Sequence, residues 1–388
     1  MINVDQSERL KSLPPYLFIR LDKMKAEAKA RGVDVIDLGI GDPDQPTHTH
    51  IIEAMKRALD DPANHRYPST AGLEAFQEAA AGYMARRFKV DINPRTVVSL
   101  IGSKEGIAHF PLAYLNIGDA ALVPSPAYPV YKIGTLFAGG KSYTMGLEAE
   151  RNFLPDLDAI PQAVAQSAKI MFLNYPNNPT SAVADKDFFE RAVAFARRHE
   201  ILILHDAAYA EIAFDGFEPP SILETPGAFD CALELHSLSK TFNMTGWRIG
   251  FAVGCPPAVA SLARVKSNID SGVFQAVQMA AVQALEKGEA DIKQIRGLYQ
   301  ARRDVLAEGL ASLGLEFKKP RASFYIWARV PSGYSSEEFV ATLLEQAGIM
   351  SSPGVGYGPE GEGYFRLALI VDINRMSEAV ARMRKIKL

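Results

Sequence analysis

The chain has 388 residues, of which 48% are hydrophobic and 22% charged, and its formal net charge at pH 7 is −3. This length suits two domains that share a core, and the composition is typical of a globular protein. Lys and Arg are spread along the chain, whereas broad nucleic-acid binding needs a concentrated basic face. No segment approaches the roughly 18 apolar residues of a membrane-spanning helix.

The N-terminal residues and the two cysteines indicate the cellular compartment of the protein. Residues 1–18 contain no apolar segment of signal-peptide length and no small-residue cleavage site. Cys231 and Cys255 match neither a metal-ligand spacing nor a disulfide framework, and the histidines show no metal-binding pattern. We therefore predict reduced cysteines, no metal site and a cytoplasmic protein.

Short apolar runs predict the strands of a sheet. Most are near-continuous rather than alternating, which is typical of parallel strands covered by helices on both faces. In chain order they are VVSLIGS (97–103), AALVPSP (120–126), KIMFLNYP (169–176), ILILHDAAY (201–209), ALELHSLSK (232–240) and IGFAVG (249–254). Helical patterns such as residues 186–200 lie between them, so the series predicts a large, doubly wound, mainly parallel α/β domain over residues 45–285.

The flanking segments have a different character. Residues 286–317 are charged and helix-prone, residues 324–330 and 364–370 predict strands, and residues 335–347 predict a helix between them. A last helix is predicted from Met376. Together with the N-terminal segment, they predict a smaller α+β domain of residues 1–44 and 286–388, beside a cleft that it is able to close.

Polar side chains follow three of the predicted strands. Asn178 follows the run at 169–176, Asp206 and Tyr209 follow the apolar residues that begin at Ile201, and Lys240 ends the run at 232–240. Ligands of open α/β sheets bind outside the carboxyl ends of the strands. We therefore predict that an amide, an acid, a phenol and an amine converge at one edge of the sheet.

Seven blocks resemble, in order, those of the class I/II aminotransferases of the fold-type-I pyridoxal-phosphate superfamily. They are RYPSTAG (66–72), GSKEGI (102–107), SPAYPVY (125–131), NYPNNPTS (174–181), HDAAYAEI (205–212), SLSKTFNMTGWRIG (237–250) and YFRLALI (364–370). The resemblance covers nearly the whole chain. It implies a fold-type-I PLP-transferase that uses pyridoxal 5'-phosphate to move an amino group between an amino acid and a 2-oxo acid.

The resemblance implies the central chemistry for two residues. Lys240 matches the catalytic amine that forms an imine with the cofactor aldehyde and then acts as acid and base. Asp206 matches the carboxylate that keeps the ring nitrogen protonated, so that the ring can withdraw electrons from the substrate carbanion. The alternative interpretations are a solvated surface lysine and an aspartate that caps a helix.

Three residues match contacts to the cofactor ring. Asn178 and Tyr209 match two hydrogen-bond donors to the phenolate oxygen, and Tyr128 matches an aromatic residue stacked on the ring. A structural Asn–Pro turn and an ordinary core tyrosine are the alternatives.

Other residues match the family's phosphate contacts. Three of them follow a predicted strand and begin a helix, where backbone N–H groups can bind phosphate, and an arginine can grip it bidentately. The residues are Gly102, Ser103, Lys104, Ser237, Ser239 and Arg248. Tyr67 matches a tyrosine that the neighbouring subunit supplies to the cofactor, which implies a homodimer with shared active sites.

The substrate carboxylate is assigned by the same resemblance. Arg366 matches the arginine that pairs with the α-carboxylate, and Gly41 matches a loop whose backbone approaches it. Asn178 and Tyr16 match further residues near the substrate. A surface arginine in a salt bridge is the alternative interpretation of Arg366.

Two segments call for comment. Ser181 replaces the glycine usual after Asn-Pro-Thr, and we expect serine to be tolerated only if the position avoids positive φ. The glycine-rich residues 353–365 lack dinucleotide-binding spacing and are interpreted as a mobile loop that leads to Arg366.

The choice of substrate depends on finer resemblance. Residues 10–32 resemble the N-terminal segment of LL-diaminopimelate aminotransferases, which implies transfer from LL-2,6-diaminopimelate to 2-oxoglutarate in lysine biosynthesis. Aspartate, alanine and aromatic aminotransferases share the same chemical core, and a pyridoxal-phosphate C–S lyase would share the cofactor site. A regulator with an aminotransferase-like domain would need a DNA-binding module, and the segment before Gly39 contains no winged-helix pattern.

Overall fold

The structure, a computed structural model, describes residues 2, 4–13 and 17–386. The helices in chain order are α1 (Glu8–Lys11), α2 (Leu17–Ala30), α3 (Thr49–Leu59), α4 (Glu74–Phe88), α5 (Ser103–Tyr114), α6 (Val130–Phe137), α7 (Gln162–Ser167), α8 (Lys186–His199), α9 (Leu238–Thr241), α10 (Pro256–Lys266), α11 (Gln275–Lys287), α12 (Glu289–Ser312), α13 (Ser336–Ala347) and α14 (Ile373–Met383). The strands are β1 (Ile36–Asp37), β2 (Val98–Leu100), β3 (Ala120–Ser125), β4 (Lys141–Gly146), β5 (Ala168–Leu173), β6 (Leu202–Asp206), β7 (Ala232–Ser237), β8 (Gly250–Gly254), β9 (Tyr325–Arg329), β10 (Ile349–Met350), β11 (Ser352–Pro353) and β12 (Tyr364–Ala368).

A seven-stranded sheet forms the centre of the fold, in the order β2-β8-β7-β6-β5-β3-β4. β8 runs antiparallel to both of its neighbours, and the other pairs are parallel. Every residue of β7 and β8 is buried, because helices cover both faces. The six predicted runs correspond to β2, β3, β5, β6, β7 and β8, which confirms the mainly parallel α/β fold.

Sequence analysis missed β4. This strand pairs with β3 along one side and lies at the end of the sheet. Only Met145 of its six residues is buried, so the strand has no apolar run by which it could be predicted. An edge strand needs fewer apolar side chains than a strand covered on both faces, which is why the search for apolar runs passed over it.

The predicted helices have recognisable ends. α8 begins after Asp185, whose side chain accepts a hydrogen bond from the backbone N–H of Phe188, and it ends at Glu200 in the left-handed conformation. α13 begins with a capping box in which Ser335 and Glu338 bond each other's backbone. The local sequence therefore determines where these helices begin.

Two smaller sheets lie outside the seven-stranded one. β11, β12 and β9 form an antiparallel sheet, and β1 pairs in parallel with β10. The backbone N–H of Ala368 donates to Leu38 O at 2.7 Å, so the N-terminal segment packs against these sheets. A hydrophobic cluster that includes Ile36, Leu306 and Phe365 fills the space between them and the last helices. The boundaries of the two domains stay a prediction.

The glycine-rich segment before β12, interpreted above as a mobile loop, contains local structure. It forms two short 3-10 turns, Gly354–Tyr357 and Pro359–Gly361. A Cβ atom on Gly354 would lie 1.9 Å from Gly361 O, so glycine here permits close packing of the two turns. The backbone N–H of Ala127 donates to Tyr357 O at 2.9 Å and ties the segment to the end of β3.

Within residues 2, 4–13 and 17–386, no helix has both the length and the apolar character required to cross a bilayer. Cys231 and Cys255 are buried free thiols.

Candidate active site

A cavity of about 310 Å³ lies at the carboxyl edge of the seven-stranded sheet. The ends of β5, β6 and β7 meet the first residues of α5 and α9 there. The predicted site residues that line it are Gly41, Ser103, Lys104, Tyr128, Asn178, Asp206, Tyr209, Ser237, Ser239, Lys240 and Arg248. The sheet therefore brings together side chains that are widely separated in the sequence, as the strand ends indicated.

Three predicted residues do not line the cavity. Gly102 precedes α5 and Arg366 lies behind the cavity wall, where both contact residues that line it. Tyr67 is 88% exposed and does not line the cavity of its own chain. Tyr16 lies outside the described residues.

Lys240 follows β7, on the single turn of α9. Its Nζ donates to Gly41 O at 2.8 Å and lies 5.6 Å from the centre of the Phe324 ring. Burial lowers the pKa of Lys240 to about 8, Asp42 opposes this change, and Arg248 and Arg366 add to it. Lys240 thus faces the cavity, which disagrees with the alternative of a solvated surface lysine.

Asp206 ends β6 and is 4% exposed. Its Oδ2 accepts a hydrogen bond from the Tyr131 hydroxyl at 3.0 Å, and its Oδ1 accepts one from the backbone N–H of Ala208 at 3.3 Å. Burial raises the pKa of Asp206, and the hydrogen bond from Tyr131 opposes the rise. A cationic partner in the cavity would favour the ionised carboxylate further.

A buried carboxylate lies close to Asp206, on the neighbouring strand β7. Glu234 contacts His205 Nδ1 at 2.9 Å and His236 Nε2 at 2.7 Å, and it accepts hydrogen bonds from Ser221 and the backbone of Ile222. Burial opposes ionisation of Glu234, but the hydrogen bonds from the two histidines outweigh it and hold its pKa well below the ordinary value. Four partners on one carboxylate make this a fully bonded polar centre in the core.

Arg366 is completely buried on β12. Its Nη1 donates to Asn178 Oδ1 at 2.8 Å, and its Nη2 donates to Gly39 O at 2.6 Å. Its Nε has no hydrogen-bond partner among the described residues. A buried guanidinium that has neutral oxygens as partners suits an anionic ligand, and its burial disagrees with the alternative of a surface salt bridge.

Asn178 connects this arginine to the cavity. Because its Oδ1 accepts from Arg366, the amide nitrogen is the part of this side chain available to donate to a ligand. Its backbone N–H donates to Asn174 Oδ1 at 2.8 Å, and Asn174 Nδ2 donates to Asp206 O at 2.7 Å. Asn174 therefore joins the turn of Asn178 to the end of β6.

Tyr209 lies in the turn that follows β6. Its hydroxyl is 3.0 Å from the hydroxyl of Tyr325, which begins β9 of the small antiparallel sheet. Burial raises the pKa of Tyr209 well above its ordinary value, and Tyr325 adds to the rise. The Tyr209 phenol is therefore a neutral hydrogen-bonding group.

The N-terminus of α5 lies at one end of the cavity, beside Arg248. Gly102 precedes the helix with φ of 98°, and a Cβ atom there would lie 2.6 Å from Arg248 Nη2. Arg248 is anchored by Nη1 to Thr245 O at 2.7 Å and by Nη2 to Ile101 O at 2.8 Å. Glycine at position 102 allows the guanidinium to approach the first N–H groups of the helix.

The expectation for Ser181 was wrong. This serine has φ of 58° in the structure. Its Oγ donates to Tyr325 O at 2.7 Å and lies 3.1 Å from Ser323 Oγ. The left-handed conformation costs about 1–2 kcal/mol in a non-glycine residue, and these buried side-chain bonds offset that cost.

Several cavity residues were not predicted. Tyr131 lies in the block around Tyr128, but nothing in the sequence indicates its hydrogen bond to Asp206. Tyr325 lies inside an apolar run, where nothing in the sequence distinguishes it from a core residue. The complete unpredicted set is Ile40, Asp42, Tyr131, Asn174, Ala208, Thr245 and Tyr325.

The arrangement fits a phosphorylated aromatic aldehyde. The amine of Lys240 faces the cavity, the Asp206 carboxylate lies at its base, and α5 with Arg248 offers donors for a phosphate. The space between Gly102 and Arg248 is so narrow that any side chain at position 102 would collide with the guanidinium. Fold and site together define an α/β enzyme that uses such a cofactor.

Comparisons with known proteins agree. A family model described as aminotransferase class I and II matches residues 33–383. The LL-diaminopimelate aminotransferase of Syntrophobacter fumaroxidans is 56% identical over 382 residues, which cover 98% of both proteins. That of Aquifex aeolicus is 54% identical over 383 residues, covering 98% of this chain and 99% of the relative. The substrate-bound structure of BacF from Bacillus subtilis matches with a TM-score of 0.95 and 37% identity, covering 99% of this chain and 98% of that one.

The chain belongs to the class I and II aminotransferases. It is a pyridoxal 5'-phosphate enzyme that transfers an amino group between an amino acid and a 2-oxo acid. The resemblance seen in the seven sequence blocks is thus confirmed.

Proposed function

We propose that this aminotransferase takes its amino group from LL-2,6-diaminopimelate and transfers it to 2-oxoglutarate, as a step of lysine biosynthesis. The observation that carries the proposal is the identity of 56% and 54% to LL-diaminopimelate aminotransferases over nearly the whole chain. The cavity supports it, because Asp42 lines it. A substrate with a second amino group would have an oppositely charged partner there.

Lys240 is the proposed catalytic residue. When bound, pyridoxal 5'-phosphate supplies an aldehyde and an electron sink for the amino-acid carbon. With a pKa of about 8, roughly a tenth of the Lys240 side chains are neutral amines at pH 7. The neutral amine is able to bond to an aldehyde and, once released, to accept the proton of the substrate Cα.

Asp206 is the proposed partner of the cofactor's ring nitrogen. Its carboxylate is fixed by Tyr131 on one oxygen and by a backbone N–H on the other. Burial favours the neutral acid, so a protonated ring nitrogen at this position would stabilise the ionised form and be stabilised in return. Asn178, Tyr209 and Tyr128 are proposed to hold the ring through its phenolate oxygen and its face.

The phosphate is proposed to lie at the N-terminus of α5. Backbone N–H groups and the partial positive charge of the helix end favour an anion there, and Arg248 adds a full charge. The proposed ligands are Gly102, Ser103, Lys104, Ser237, Ser239 and Arg248.

The α-carboxylate of the substrate is proposed to bind Arg366, near the backbone of Gly41. Arg366 has neutral oxygens of Asn178 and Gly39 as partners and an unpartnered Nε within the described chain, so its charge is available to a carboxylate. Tyr16 stays a predicted substrate residue.

A homodimer is proposed in which Tyr67 reaches the partner's cavity. Tyr67 is 88% exposed, and the exposed Ile269 (52%) and Phe274 (40%) flank Gly272, which packs against residues 68–70. Exposed apolar side chains grouped in this way are typical of a subunit interface.

Two domains, residues 45–285 and residues 1–44 with 286–388, are proposed on the separate hydrophobic clusters. A cytoplasmic location is proposed on the two buried thiols.

Initial rates with a panel of amino donors and 2-oxoglutarate test the proposal. The holoenzyme is assayed with LL-2,6-diaminopimelate, aspartate, alanine and aromatic amino acids. We expect kcat/KM for LL-2,6-diaminopimelate to exceed the others by about 10-fold or more, since one further charged contact contributes about 1.5–3 kcal/mol. Faster turnover of aspartate or alanine would contradict the substrate assignment. Pyruvate, ammonia and a thiol released from a β-thio amino acid without 2-oxoglutarate would indicate a C–S lyase.

A further inference from the structure

The paired hydroxyls of Tyr209 and Tyr325 belong to two different sheets. Tyr209 follows β6 of the large sheet, and Tyr325 begins β9 of the small antiparallel sheet. Their hydroxyl oxygens are 3.0 Å apart, and their rings meet edge to face with centres 5.6 Å apart. Both side chains line the cavity, at 7% and 2% exposure. The contact is therefore a direct hydrogen bond inside the site.

Each phenol has one hydrogen to donate, so the direction of this bond is decided by the ligand. If Tyr209 donates to the ring oxygen of the cofactor, as proposed above, it can only accept from Tyr325. We propose that Tyr325 is a positioning residue that donates to the Tyr209 hydroxyl and thereby commits the Tyr209 hydrogen to the cofactor. This inference rests on the proposed role of Tyr209.

The structure holds Tyr325 firmly in this position. Ser181 Oγ donates to its backbone carbonyl at 2.7 Å, and the guanidinium of Arg366 lies 4.0 Å from the centre of its ring. A Cβ atom on Gly41 would lie 2.0 Å from its hydroxyl oxygen, so the backbone of Gly41 closes the other side. Three segments from distant parts of the chain thus fix one hydroxyl.

The hydrogen bond between Tyr209 and Tyr325 can be removed without changing the charged groups around Tyr209. The charged groups that face Tyr209 are Arg366 and Asp206. Both remain when the Tyr325 hydroxyl is removed, and the ring under Arg366 remains as well in a phenylalanine variant. Tyr325→Phe therefore removes one hydrogen bond and leaves the charges and the packing in place.

The sign of the effect follows from the hydrogen bond. A hydroxyl that accepts one hydrogen bond becomes a stronger donor, so Tyr325 strengthens the donation of Tyr209 to the ring oxygen. Stronger donation stabilises negative charge on that oxygen and weakens its hold on the proton shared with the Lys240 nitrogen. Loss of the Tyr325 hydroxyl should therefore raise the pH at which the bound cofactor loses this proton.

The test is a pH titration of the visible absorbance of the holoenzyme. Wild type is compared with Tyr325→Phe, Tyr209→Phe and the double variant Tyr209→Phe/Tyr325→Phe. Tyr299→Phe is the matched control, because Tyr299 is buried against Phe324 with ring centres 5.2 Å apart, and its hydroxyl has no hydrogen-bond partner within the described chain. Circular dichroism of each variant monitors the fold independently of activity.

We expect Tyr325→Phe to raise the midpoint by about half a pH unit to one pH unit, which is the value of one hydrogen bond. Tyr209→Phe should raise it further, the double variant should match Tyr209→Phe, and Tyr299→Phe should match wild type. The inference is overturned if Tyr325→Phe keeps the wild-type midpoint or if the two shifts add in the double variant. In those cases a shift in Tyr209→Phe would still support the role of Tyr209. If Tyr209→Phe itself causes no shift, the proposed role of Tyr209 fails and the inference fails with it.

Discussion

The large sheet and the small antiparallel sheet contribute to the cavity in different ways. Asp206 and Lys240 come from strand ends of the large sheet, where parallel topology points polar residues to one edge. Tyr325 and Arg366 come from within the small sheet, on β9 and β12, and reach the site because that sheet packs against it. The large sheet brings its site residues together through the parallel arrangement of its strands. The small sheet contributes its residues because one of its faces packs against the cavity.

This difference separates chemistry from recognition. The large-sheet edge holds the amine and the carboxylate proposed for the cofactor, whereas the small sheet holds the guanidinium proposed for the substrate carboxylate. Loss of Lys240 from the first region should therefore abolish the reaction, and loss of the Arg366 guanidinium from the second should mainly change the substrate concentration that the enzyme needs.

Lys240→Ala tests the large-sheet edge most severely. We expect a loss of kcat by about 10⁴-fold or more, because the variant lacks the amine proposed to bond the aldehyde and to move the Cα proton. The visible spectrum of purified protein should change as well. Lys287→Ala, at an exposed lysine, is the control. An unaltered spectrum and rate in Lys240→Ala would refute the assignment.

Glu234→Gln tests whether the large sheet depends on its buried polar centre. An amide cannot accept from four partners, so the free energy of unfolding should fall by about 3–5 kcal/mol. The pKa of Glu234 lies below its unfolded value, so its contribution is present above about pH 4.3 and is lost as the pH falls. Urea denaturation at pH 7 and pH 4 measures both effects. A variant as stable as wild type at pH 7 would contradict this view.

Arg366→Lys tests the small sheet. Lysine keeps the charge but cannot bond both Asn178 and Gly39 in the same geometry. We expect KM for the amino donor to rise about 10-fold to 100-fold, consistent with about 1.5–3 kcal/mol for a charged hydrogen bond, while kcat changes less. Steady-state kinetics with donor and 2-oxo acid provide the measurement. A fall in kcat at constant KM would show that the two regions are not divided in this way.

Ser181 tests the contact between the regions, where we expect the smallest effect. Ser181→Ala loses the bonds to Tyr325 and Ser323 but keeps the left-handed backbone, whereas Ser181→Gly loses the same bonds and relieves that conformation. We expect Ser181→Ala to unfold more easily than Ser181→Gly by about 1 kcal/mol. Equal stabilities in chemical denaturation would show that the backbone conformation carries no cost.

Sequence patterns were informative about the large sheet and about the polar groups at its edge. Continuous apolar runs indicate strands covered on both faces, and residues that follow them must share an edge if the strands are parallel. This reasoning led to Lys240, Asp206, Asn178 and Tyr209 before any geometry was considered. It missed β4, whose half-exposed residues carry no such pattern.

Contacts between distant segments were decided by tertiary packing alone. The Tyr209–Tyr325 pair spans 116 residues, and the Arg366–Asn178 contact spans 188. Local periodicity holds no information about such pairs, because they depend on how two finished sheets dock. The left-handed serine at position 181 has the same origin: its hydroxyl contacts Tyr325 O, at the start of β9, and Ser323, and without these contacts glycine would be the residue that this backbone favours.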